Sequence, residues 1–185
     1  MARGLVLPEL CRIVDAPAIV MTGGASERLV ASDSERTALA TRLGLAQLLS
    51  LEAALDLRAW RGCGLEVEGV LKARVVQTCV VSLELMESAI EAPIRAQYLP
   101  AAMVPADSPE ATEAALDPFA ADPPELIPEG GRLDLGELVT QHLAVAIAPY
   151  PRRADAEFAA HLEKAPAPEQ GPFAKLAALK RPPEE

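Results

Sequence analysis

Tyr150 stands between Pro149 and Pro151 and is followed by Arg152 and Arg153. A tyrosine ring stacks on an unpaired base, and a guanidinium binds phosphate in a forked geometry. Prolines on both sides restrict the tyrosine backbone, which lowers the entropy cost of presenting the ring. This run is therefore the first candidate for RNA or partner recognition. The structural alternative is that Tyr150 packs on a sheet while the arginines pair with Asp155 or Glu157, which is how most surface arginines are spent. Lys72 and Arg74 extend a second basic strip toward Arg58, diluted by Glu66 and Glu68.

Acidic chemistry is concentrated elsewhere. The net charge is −10 over 185 residues, and residues 101–150 hold nine acidic side chains against one basic, Arg132. Such a chain does not bind nucleic acid nonspecifically, because phosphate repulsion opposes it. Any RNA contact must use a local basic patch. The acidic segment, with Asp122, Glu125 and Glu129 as candidates, suits a basic partner. A general acid/base pair among these carboxylates would need a pocket, which an extended proline-rich loop seldom builds.

The remaining reactive types read as structural. Cys11, Cys63 and Cys79 are far apart, with no Cys-x-x-Cys pair, and His142 and His161 are remote from each other. This sparse set argues for a reducing, cytosolic home and against a metal or cofactor site. Cys79 falls on the apolar face of its strand, where a free thiol behaves as a small hydrophobe rather than a reactive one. His142 lies on a helical apolar stripe, where a ring bonded to backbone is favoured over a catalytic base. Gly69 occupies an inward strand position, expected at a bulge or under a packed helix. No segment approaches the roughly 20 apolar residues of a membrane span, and the N-terminus lacks a signal-peptide core.

The elements that must position these groups follow from periodicity. Residues 10–14 and 18–22 read as two short strands, and Gly23-Gly24 breaks them. A helix follows, capped by Ser32 or Ser34, with Glu35 in its first turn, Leu39, Leu43 and Leu45 near one side, and Gly44 at its end. From Leu51 to Trp60 apolar residues alternate with Glu52, Asp56 and Arg58. After the turn at residues 61–64 the alternation resumes through Leu65, Val67, Leu71, Ala73 and Val75, which predicts a long β-hairpin. A further strand covers residues 88–99, with Pro93 placing it at an edge. Residues 100–130 form an acidic, proline-rich insertion. Asp134 and Glu137 have capping-box spacing before the stripe Leu135, Leu138, Val139, His142, Leu143 and Ala146. The domain is expected to span residues 1–164. Residues 165–185 read as a flexible tail, in which Phe173, Leu176 and Leu179 have roughly helical spacing.

The segment GVLKARVVQTCVVSLELMESAIEAPI (residues 69–94) resembles the core hairpin of the YceD family, also known as the DUF177 domain. The run PPELIPEGGRLDLGELVTQHLAVAIAPYPR (residues 123–152) is similar to the family's second signature, and PFAKLAALK (residues 172–180) to its C-terminal ending. Three motifs in the right order make the resemblance specific. It implies a non-enzymatic role in accumulation or processing of 23S ribosomal RNA and in large-subunit production. Many members carry a Cys-x-x-Cys pair here; this chain has Val76 three positions before Cys79, so the resemblance brings no metal or redox site with it.

The expected architecture is α+β: an antiparallel sheet or open barrel with a long hairpin, packed by two helices. The expected function is a cytoplasmic ribosome biogenesis factor without cofactor. Its partners would be large-subunit ribosomal RNA or its precursor. A chaperone-like hold on a basic ribosomal protein is the alternative, and structural partnership in an unrelated complex a third reading.

Overall fold

The computed structural model describes residues 9–100, 103 and 124–156. Along the chain lie β1 (Ile13–Asp15), α1 (Ala16–Thr22), β2 (Gly24–Val30), α2 (Asp33–Leu43), β3 (Gln47–Trp60), β4 (Gly64–Thr78), β5 (Leu85–Leu99), β6 (Glu125–Leu126), β7 (Arg132–Asp134) and α3 (Leu135–Ala146). Strands β2-β3-β4-β5-β6 form one sheet in that order, antiparallel except at β5–β6, and β1 pairs with β7 in a separate two-stranded ribbon. The architecture is α+β as expected, and the sheet is open rather than closed into a barrel.

The β3–β4 hairpin is longer than its alternation indicated, and β3 begins at Gln47. Leu51, Leu55 and Leu57 face Ala73, Gly69 and Val67 in register, and their side of the sheet is buried. The other side is wet, as a period of two requires. Strand β5 pairs with β4 along its length, whereas β6 covers only Tyr98 and Leu99 on the other side. Pro93 therefore sits on an open edge, where a missing N–H breaks no ladder.

The two helices expected from sequence are present. The Ser32 hydroxyl accepts from the Glu35 N–H and the Glu35 carboxylate accepts from the Ser32 N–H, completing a capping box; Ser32, not Ser34, is the cap. Gly44 ends α2 in the left-handed region. Asp134 caps α3, accepting from Gly136 and Glu137 and from the Arg12 N–H. Glu137 does not reach back to complete a box there. Its carboxylate takes both arms of the Arg42 guanidinium at 2.7 and 2.8 Å, a charge-assisted fork stronger than one neutral amide bond, and so ties α3 to α2. Leu135, Leu138, Val139 and Leu143 are buried against the inner face of the sheet.

The first two segments differ from expectation. Residues 10–14 yield only the three-residue β1. Residues 18–22, read as a strand, lie within the helix α1. Asp15 accepts from the Ala18 N–H at 3.0 Å, Pro17 sits in the first turn where its missing N–H is harmless, and Gly23 closes the end at φ 85°. Asp15, Ala16 and Pro17, between the two expected strands, thus start a helix. Strand β2 was not anticipated: it lies at the sheet edge and fully buries only Leu29, so its apolar signal is faint.

Candidate recognition site

After α3 the chain crosses the end of the sheet as a strap. Ile147 leaves the helix in an extended conformation (ψ 126°), and Pro149 prevents helical continuation. The strap is fastened at three points. The Ala148 carbonyl accepts from Gln77 Nε2 at 3.1 Å, the Pro151 carbonyl accepts from the Val80 N–H at 2.9 Å, and Arg153 donates to Glu84 at 2.6 Å. Beneath it runs the β4–β5 turn, in which Leu83 adopts a positive φ of 60°.

Tyr150 stands out of this strap 75% exposed, and Leu83 beside the strap is 76% exposed. Arg152 is exposed and makes no ion pair among the described residues. Arg153 is differently placed: it forks onto Asp155 at 3.0 and 2.8 Å as well as holding Glu84. The structural alternative considered above therefore holds for Arg153 and Asp155 and not for Tyr150 or Arg152. Glu157 lies outside the described residues.

The second basic strip is neutralised across strands. Lys72 pairs with Glu91 at 3.2 Å and Arg74 donates to Glu87 at 2.6 Å. Arg28–Glu52 and Arg95–Glu68 continue the pattern over the same wet face. Those glutamates come from neighbouring strands, so a reading along one strand could not pair them.

The acidic candidates lie at the far end of the sheet, by the β3–β4 turn. Glu125 and Glu129 are exposed, and Asp122 lies outside the described residues. Strand β6 sets Glu125 opposite Tyr98, whose phenol is pushed up by burial and by that carboxylate.

Under the strap, Cys79 is fully buried as expected, but it lies in the turn just past the end of β4 rather than on the strand. Ser82 donates its N–H to the sulfur at 3.5 Å, while the buried Ser82 hydroxyl has no hydrogen-bond partner. Ser82 beside the sulfur, with the backbone of Arg153 and Val81, outweighs burial and draws the thiol from its usual 9.0 down to about 6. The folded value is below the unfolded one, so the thiolate's stabilisation is complete above pH 9 and fades as pH falls through about 6. Cys79→Ala should remove that slope. Urea midpoints of parent and variant, compared from pH 9 to pH 5.5, should converge toward acid; a gap independent of pH would contradict this account.

His142 bonds the Leu138 carbonyl through Nδ1 at 3.0 Å, the backbone role foreseen for it. Gly69 is not at a bulge, since the one register shift in β3–β4 lies between Leu48 and Ser50; what approaches it most closely is the β3 backbone. Sequence reasoning missed two features: Leu83, whose exposure and positive φ have no local signal, and an apolar cavity beside α1.

The fold is an α+β domain whose long antiparallel strands carry candidate recognition groups at both ends. The chain belongs to the YceD family: the model described as large ribosomal RNA subunit accumulation protein YceD matches residues 67–180. Searches among curated proteins and among solved structures give no match. The matched residues include β4 from Val67 onward, β5, α3 and the whole strap, and extend beyond the described residues to the PFAKLAALK run.

Proposed function

We propose that this chain supports accumulation of large-subunit ribosomal RNA by touching the RNA directly through Tyr150 and Arg152. The family description supplies the ribosomal role. One observation carries the contact: a tyrosine held between two prolines, three-quarters exposed on a strap fastened to the sheet, next to an arginine with no partner among the described residues. The ring offers a stacking surface for an unpaired base and Arg152 a phosphate contact. Lys72, Arg74 and Arg153 support the fold by pairing with Glu91, Glu87, Glu84 and Asp155 rather than serving the RNA. With a net charge of −10, long-range attraction to RNA is absent, so binding depends on this short-range contact.

The protein acts in the cytoplasm in this reading, where the large subunit is assembled. Among the described residues no helix is long and apolar enough to cross a membrane. The test is ultraviolet crosslinking in growing cells, with denaturing recovery of the tagged chain. Precursor 23S sequence should be enriched, and the enrichment should fall in Tyr150→Ala and Arg152→Glu. Absence of RNA from the parent chain would overturn the direct contact.

A further inference from the structure

At the opposite end of the sheet lies a cavity of about 510 Å³. Its wall is apolar and stiff: Pro17, Val20 and Met21 from α1, Pro100 after β5, and Ile127 and Pro128 after β6. Met21 is 88% exposed at its mouth, and Leu126 on β6 is exposed nearby. Clefts that hold ligands have volumes of roughly 300–1,000 Å³, and this one lies within that range. Prolines on three sides preform it, which reduces the ordering cost of binding.

We propose that this cavity receives an apolar anchor side chain from a lysine- and arginine-rich polypeptide. Charge selects the occupant. Glu129 lines the cavity, Glu125 lies on the adjoining β6, and the sequence from residue 101 to 131 carries acids from Asp107 to Glu129 with no lysine or arginine. The nearby cations are Arg61, stacked on the Trp60 ring at 4.3 Å, and Arg132, next to the lining Gly131 and opposite Asp15 in the β1–β7 pair, so the carboxylates outnumber the free cations. A nucleic acid would bring phosphate against these carboxylates. A second copy of this chain would bring a further −10. A neutral apolar metabolite would make no use of the acids. A basic segment with one large apolar residue satisfies both the cavity and its rim, with the rim charges steering encounter. This site does not depend on the RNA contact: the 15-residue β4 separates the two ends by roughly 45 Å of strand rise.

The test places a photoreactive phenylalanine analogue at Met21 of the full chain in growing cells, with every adduct identified by mass spectrometry. The expected adduct is a basic ribosomal protein, with a yield at least fivefold lower in Glu125→Lys/Glu129→Lys, while RNA crosslinking at Tyr150 is unchanged. In vitro, the purified chain should raise the anisotropy of a labelled leucine–lysine peptide, and Met21→Asp, an exposed position that leaves the core alone, should abolish the rise. Adducts only within the chain, only to a second copy, or only to neutral or acidic proteins would overturn the proposal. So would no adduct from a folded chain, or a yield indifferent to the charge reversals.

Discussion

Gly69→Ala should destabilise the domain by about 3 kcal/mol or more, at the upper end of what overpacking costs. A Cβ at this position would lie 2.2 Å from the Ala54 carbonyl oxygen, 2.8 Å from Leu55 Cδ2 and 3.0 Å from Leu55 Cα. Two of these three atoms are backbone and cannot swing aside. Ala54 is paired with Arg28 on one side and Val70 on the other, so β3 can retreat only by disturbing both ladders. Leu55 is buried, so its movement also opens the core. A loss of this size is a large share of a stability of roughly 5–15 kcal/mol. Urea unfolding measures it. Val70→Ala, at the next residue but on the exposed face, serves as the control and should change stability by no more than about 0.5 kcal/mol. A Gly69→Ala chain within 1 kcal/mol of the parent would show that the sheet yields more easily than the ladder implies.

The second large effect concerns RNA. Stacking of one base on an aromatic ring is worth roughly 1–3 kcal/mol. At about 1.4 kcal/mol per tenfold, Tyr150→Ala should therefore lower RNA recovery by roughly five- to a hundredfold. Tyr150→Phe keeps the ring and should retain most of the binding. Arg152→Glu should weaken binding about tenfold and reduce its salt dependence, because one phosphate contact is replaced by a repulsion. None of the three should lower the melting temperature, since both side chains are exposed and Arg152 has no partner to lose among the described residues. Arg153→Glu separates the roles. It would set a carboxylate against Glu84 and Asp155 and loosen the strap, so it should lower stability first and binding as a consequence. Equal losses of RNA in Arg152→Glu and Lys72→Glu, at unchanged stability, would move the contact to the sheet face and sink the strap reading.

The sequence alone determined the parts of this protein whose signals are local and repeated. Eleven consecutive cross-strand pairs of β3 and β4, from Ser50 to Trp60, leave the same alternation in both arms. The bounds of α2 were legible in Ser32, Glu35 and Gly44, because a cap is a bond between residues three apart. The start of α3 and the family motifs were legible for the same reason. Tertiary structure decided the rest. Seven residues from Ala16 to Thr22 are too few to separate a period of 2 from one of 3.6, and the Asp15 cap and the packing of α1 on the sheet settled them as helix. An edge strand such as β2 needs only one fully buried residue, too little to stand out. The fate of each cation depended on residues brought close only by folding. Arg74 meets Glu87 and Lys72 meets Glu91 across a strand pair, Arg42 meets Glu137 across two helices, and Arg152 alone of the strap arginines meets none among the described residues. Charge pairing is a property of distance in space, and among the described residues its partners lie between two and 95 positions apart in sequence.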